Sequence, residues 1–116
     1  MNKTRLFIID DNVELVNMIK EYFSSRAYIE VKFIAHNGEE GINIMKDNLT
    51  EFDLIILDLI MPKKDGVAVL EEMNKEGIDK KVIVLTSYNT PEMIRKVSEL
   101  GANYFLLKPF ELVELE

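Results

Sequence analysis

Four short, unbroken apolar runs each stop at a charged or hydroxyl-bearing residue. Leu6-Phe7-Ile8-Ile9 precedes Asp10-Asp11, Leu54-Ile55-Ile56-Leu57 precedes Asp58, Val82-Ile83-Val84-Leu85 precedes Thr86-Ser87, and Tyr104-Phe105-Leu106-Leu107 precedes Lys108-Pro109. Runs of four that are apolar at every position suit strands covered on both faces, because a half-exposed strand would alternate. Val31, Phe33 and Ala35 give a further strand with an alternating pattern.

Between these runs the apolar residues return at helical spacing. From Asn12 they are Leu15, Val16, Ile19, Tyr22 and Phe23. Asn37-Gly38-Glu39-Glu40 opens a second helix carrying Ile42, Met45 and Leu49, with Asn37 as N-cap and Glu40 at the capping-box position. A loop from Leu59 to Asp65 holds Pro62 and ends at Gly66, and Val67, Leu70 and Met73 form the next stripe, closed near Gly77. Thr90-Pro91 pairs a capping hydroxyl with proline at the first helical position. There Met93, Ile94, Val97 and Leu100 are expected to face inward, with Gly101 as the stop. A last helix is expected from Glu111, with fewer than two turns before Glu116. Strands alternating with helices predict an α/β domain whose parallel sheet is covered on both faces. A length of 116 residues fits one such domain.

Composition removes several functions. Without cysteine there is no disulfide scaffold, thiolate metal site or cysteine nucleophile. The net charge of −7 argues against this segment gripping nucleic acid, which needs a basic surface. No apolar run approaches a membrane span, and the N-terminal one is too short for a signal peptide, so a cytoplasmic protein is expected.

The polar residues at the strand ends carry the chemistry. In a parallel sheet those ends share one edge, and ligands bind in the crevice outside it where the strand order reverses. Asp10, Asp11, Asp58, Thr86 and Lys108 therefore converge. Carboxylate pairs about 5 Å apart repel by roughly 3 kcal/mol at an effective dielectric near 20. A shared proton, Lys108 or a divalent cation must offset that. An all-oxygen set without histidine or cysteine suits Mg²⁺.

Together Asp10-Asp11, the run Leu57-Asp58-Leu59-Ile60-Met61-Pro62-Lys63-Lys64-Asp65-Gly66, Leu85-Thr86-Ser87 and Lys108-Pro109-Phe110 resemble the receiver domain of bacterial two-component response regulators. The likeness runs in order along essentially the whole chain. It implies a flavodoxin-like (CheY-like) doubly wound five-stranded parallel sheet of order 2-1-3-4-5, with the last helix truncated here; that order is inherited from the family and not deduced. It also implies that Asp58 accepts a phosphoryl group from a histidine kinase or histidine phosphotransfer protein. By the same resemblance Asp11 ligates Mg²⁺ (Mn²⁺ able to substitute), Asp10 helps through water, and the Ile60 carbonyl completes the protein's share. Thr86 and Lys108 bind phosphoryl oxygens, Phe105 is the aromatic switch residue, and Pro109 follows a cis peptide that aims the lysine inward. Ile60 and Tyr88 stand where polar side chains would orient a hydrolytic water, so a long-lived phosphoryl group is expected. Asp10-Asp11-Asn12 with Glu14-Leu15-Val16, Asn37-Gly38-Glu39-Glu40, Asp65 to Glu71 and Gly101 to Phe105 are similar to the sporulation-initiation master regulator family. That implies a C-terminal DNA-binding effector domain, absent from this chain, and an output in transcription. With the short last helix, apolar surface beside the first helix and homodimerisation are further expectations.

Each piece also has a plainer reading. Asp10-Asp11 could cap the first helix, Thr86 could satisfy a strand end, and Lys108-Pro109 could be a turn. Asp65-Gly66 reads as a cap and tight helix entry, His36 as a surface loop residue, and the methionines as packing. Two other functions compete. A haloacid-dehalogenase-type aspartyl phosphatase would want Asp-x-Asp after its first strand, yet here the aspartates are adjacent and residue 60, two past Asp58, is isoleucine. A pseudo-receiver that is never phosphorylated would not need all five site residues.

Overall fold

The computed structural model describes residues 3–61, 64–87 and 90–108. Tyr88, Pro109 and the helix expected from Glu111 lie outside them. Along the chain run β1 (Thr4–Ile9), α1 (Val13–Ser24), β2 (Ile29–Ala35), α2 (Gly38–Asp47), β3 (Leu54–Asp58), α3 (Gly66–Lys75), β4 (Lys81–Thr86), α4 (Pro91–Glu99) and β5 (Tyr104–Leu107). The strands form one parallel sheet in the order β2-β1-β3-β4-β5. Among the described residues no helix is long and apolar enough to cross a membrane.

Side-chain alternation along the strands builds a core on each face. Leu6 and Ile8 pack with Val16, Ile19 and Phe23 of α1, and Ile56, Ile83 and Leu85 join them. Phe7 and Ile9 point the other way, into a larger cluster with Ile42 and Met45 of α2, Val69, Leu70 and Met73 of α3, and Val97 of α4. Phe7, Phe33 and Phe52 meet edge to face there, with ring centroids 5.3–6.4 Å apart. The double coverage explains why the strand runs lack polar residues.

Local chemistry sets the helix starts. Asn12, Asn37, Asp65 and Thr90 each accept an amide from three residues on, at 3.1, 2.8, 2.9 and 3.2 Å. The cap of α1 is thus Asn12, which leaves Asp10 and Asp11 for other work. Gly101 ends α4 with φ of 103°, where a side chain would be strained.

Three expectations need correction. Val31 and Phe33 do not share a face: the β1–β2 register jumps between Leu6↔Val31 and Phe7↔Phe33, so Lys32 is a bulge. Val31 therefore packs on the α1 side and Phe33 on the opposite one. Ile94 does not face inward but is 38% exposed, because the short α4 buries only Val97 fully. Leu49 lies beyond the end of α2 and is 40% exposed.

Candidate functional site

The strand order reverses between β1 and β3, and the polar residues that end those strands meet there. Asp10 follows β1 directly and is fully buried, Asp11 is exposed, and Asp58 ends β3 with 5% of its surface exposed. One carboxylate oxygen from each lies within 4.8 Å of the others. Asp58 pairs with Leu85 of β4, so Thr86 sits one residue further along the neighbouring strand, buried. Lys108, just past β5, has its amide held by the Thr86 carbonyl at 2.8 Å. Its Nζ stands 3.2 Å from Asp10 Oδ2 and 3.4 Å from Asp58 Oδ1. Asp10, Asp11, Asp58 and Lys108 thus form one cluster, and Thr86 ends the strand beside Asp58 with its backbone bonded to Lys108.

Three carboxylates and one ammonium leave a formal charge of −2. The strain falls on Asp58, whose pKa rises from 3.8 to about 6, first through burial and then through the Asp10 charge. The Lys108 charge, 3.4 Å away, and then the Ile60 amide oppose that rise. Asp10 is held more tightly: Oδ1 accepts the Asn12 amide at 2.8 Å and Oδ2 takes Lys108. Asp11 and Asp58 keep oxygens directed at the shared space. This donor set is all oxygen, anionic and close, which fits a small hard divalent cation.

Beside the cluster lies a cleft of about 350 Å³ lined by Asp58, Ile60, Ser87 and Lys108. The Ile60 side chain is 53% exposed at its edge. A wider cavity of about 750 Å³ lies at the opposite edge of the sheet, among Asp53, Leu54, Lys80, Ile83 and Leu106. Its lining also holds Asp79 and Lys81, so its two carboxylates are matched by two ammonium groups, whereas the Asp10, Asp11 and Asp58 cluster is net acidic; size does not mark the reactive end. Phe105 is half-buried against the α2–α3–α4 core.

Sequence reasoning missed the second layer. The Gly38 amide donates to the Lys64 carbonyl at 3.0 Å and ties the start of α2 to the loop after Asp58. His36, read as a surface loop residue, is exposed but places its ring Nδ1 3.1 Å from the Asp10 carbonyl. Both contacts depend on which strands become neighbours, and no spacing rule signals them.

Comparison with known proteins gives the same direction. The family model described as "Response regulator receiver domain" matches residues 6–116. The structure of the Francisella response regulator 1452 receiver domain is 28% identical with a TM-score of 0.87, over 97% of this chain and 90% of that one. A CheX-CheY-BeF3-Mg²⁺ complex from Borrelia burgdorferi contains a chain 25% identical with a TM-score of 0.89, over 97% and 83%. A DNA-binding response regulator of the LuxR family from Staphylococcus aureus is 25% identical with a TM-score of 0.85, over 97% and 92%.

Proposed function

This chain belongs to the response regulator receiver domain family, and from that premise we propose that Asp58 accepts a phosphoryl group from the phosphohistidine of a histidine kinase or histidine phosphotransfer protein. The observation that carries the reading is the convergence of Asp10, Asp11 and Asp58 around one space, with Lys108 bridging Asp10 and Asp58. A carboxylate oxygen of Asp58 attacks phosphorus as the P–N bond opposite breaks, and the departing imidazole takes up a proton. Asp11, Asp58 and the Ile60 carbonyl would hold Mg²⁺ or Mn²⁺ directly. Asp10 would act through water, since Asn12 and Lys108 already occupy its oxygens. Bound there, the cation supplies the positive charge that lets a dianionic phosphoryl group approach three carboxylates. The relative from Borrelia, whose complex includes Mg²⁺, supports that reading.

Lys108 then moves its ammonium onto a phosphoryl oxygen and Thr86 donates its hydroxyl to another. Phe105 moves into the space that Thr86 leaves. The added charge acts by biasing a two-state surface that includes α4 and β5. The domain is a switch that catalyses its own phosphorylation and slow dephosphorylation. Its output is transcription of the sporulation type, through a C-terminal DNA-binding domain in the full-length cytoplasmic protein. The sequence likeness to sporulation regulators supports this, and the DNA-binding relative from Staphylococcus supports only the DNA-binding output. Phosphorylation-dependent homodimerisation is the transmitting step.

Hydrolysis needs a water in line with the Asp58 carboxylate. Ile60, at the cleft edge, and Tyr88 carry no amide or carboxylate to orient one, so the phosphorylated form lasts minutes to hours. An Ile60→Asn variant should lose its phosphate about tenfold faster, equivalent to about 1.4 kcal/mol. Equal decay rates would remove Ile60 from the mechanism. The decisive experiment is incubation with acetyl phosphate and Mg²⁺ followed by intact mass. One stable adduct, abolished in Asp58→Asn, is expected. Sustained release of free phosphate would indicate a phosphatase, and no adduct a pseudo-receiver.

A further inference from the structure

We propose that His36 is a positioning residue for the acidic pocket, fixing Asp10 through its backbone and thereby the geometry in which a divalent cation is held. The inference rests on the reading of the pocket given above and adds a residue to it.

The argument starts from the β1–β2 ladder. The Asp10 amide donates to the Ala35 carbonyl at 3.0 Å, the last backbone rung at that edge. To continue the parallel ladder, the amide of residue 37 would have to reach the Asp10 carbonyl. Asn37 instead turns away as the extended N-cap of α2, with φ −155° and ψ 167°. The His36 ring fills that place, with Nδ1 3.1 Å from the Asp10 carbonyl. A carbonyl can only accept, so this bond requires the proton on Nδ1.

Asp10 is thus gripped at four atoms. Ala35 and His36 hold its backbone, the Asn12 amide holds Oδ1, and Lys108 holds Oδ2. Lys108 is the holder that must leave when a phosphoryl group arrives, and the His36 tether keeps Asp10 in register while it does. The same turn reaches the other wall of the pocket, since Gly38, two residues on, binds the Lys64 carbonyl in the loop after Asp58. A ring that merely rests on the surface would be expected to leave the pocket unaffected when removed.

Calorimetric titration of the metal-free protein with MgCl₂ tests the difference, using wild type, His36→Ala and His36→Asn. Asparagine places an amide donor near the Nδ1 position. The alanine variant should bind Mg²⁺ three- to tenfold more weakly, at or below the lower end for outer-shell changes, with little change in melting temperature. The asparagine variant should return to within about twofold of wild type. Equal affinity in all three, or an asparagine variant as weak as alanine, overturns the proposal. ¹⁵N NMR of the neutral ring gives a readout independent of metal: protonation at Nδ1 is expected, and protonation at Nε2 alone overturns the tether. If wild type binds no Mg²⁺ yet shows Nδ1–H, the reading of the metal pocket fails and His36's role toward it falls with it.

Discussion

The two ends of the β3 strand treat an exposed and a buried carboxylate in opposite ways. Before its N-terminal end, Asp53 receives a forked pair of bonds from the Arg5 side chain at 3.1 Å each and the Arg5 amide at 2.8 Å. Its pKa is lowered, chiefly by those bonds. On the flank, Glu72 sits between Lys64 and Lys46 and its pKa falls to about 2. At the C-terminal end Asp58 has one lysine shared with Asp10, lies deeper, and is pushed up to about 6. All three are carboxylates beside cations; burial, partner number and the neighbouring Asp10 charge set Asp58 apart. Matched charges hold the scaffold, and the mismatched set marks where a cation and a phosphoryl group would be welcome.

The contrast is broken most completely by withholding the cation. Labelling of wild type by acetyl phosphate should fall by two or more orders of magnitude in excess chelator, because nothing else offsets the net negative pocket. Quantitative intact mass at early times checks this. Full-rate labelling in chelator would mean that Lys108 alone neutralises the site.

A second break targets the scaffold that holds the mismatch. A Cβ at Gly38 would overlap the Lys64 carbonyl oxygen and come within 2.8 Å of Val69, so the loop after Asp58 would have to shift. Gly38→Ala should destabilise by about 2–3 kcal/mol, measured by urea unfolding. It should also slow labelling, because the displaced loop begins directly after Asp58. Unchanged stability would show that the α2 start and the loop are not locked.

Removing the mismatch itself should stabilise the metal-free protein. Asp58 is harder to ionise folded than unfolded, so its charge opposes folding. That penalty is absent below about pH 3.8, grows up to about pH 6, and is complete above. Asp58→Asn should therefore gain about 1–2 kcal/mol at pH 7, the gain being limited because Lys108 loses a partner. At pH 3 the gain should vanish. A variant less stable than wild type at pH 7 would show that Lys108 already compensates Asp58 in full.

How much of this was legible in the sequence depends on the same division between local and non-local physics. Caps at Asn37, Asp65 and Thr90 are decided within one helical turn, and each is found where its residue type placed it. The reactive edge was legible because a parallel sheet puts every strand's C-terminal end together, so Asp10, Asp58, Thr86 and Lys108 needed no contact information. The Lys32 bulge was not legible, because register is a property of two strands and alternation in one cannot report a skipped residue. Nor was His36. Its spacing is that of any loop histidine, and its meaning comes from the Asp10 carbonyl, 26 residues away.

The smallest expected effect sharpens the comparison from the matched side. Glu72 is depressed from 4.5 to about 2 by hydrogen bonds from Lys64 and Lys46, so its ionised form favours folding. That contribution is fully present above about pH 4.5, declines as pH falls, and is gone below about 2. Its side chain is about one-quarter exposed, at 24%, and solvent screens surface pairs strongly. Glu72→Gln should therefore lower the melting temperature only slightly at pH 7, and less still in high salt. The sign against pH is the informative part. Wild type and variant should converge as pH drops toward 2, because a protonated Glu72 resembles the amide. For Asp58→Asn the difference also closes at low pH, but from the opposite side, with the variant the more stable at neutrality. Melting curves of both variants between pH 2 and 8 would place the two carboxylates on opposite sides of wild type. Two curves on the same side would mean that burial and partner number do not divide this molecule into a matched scaffold and a mismatched site.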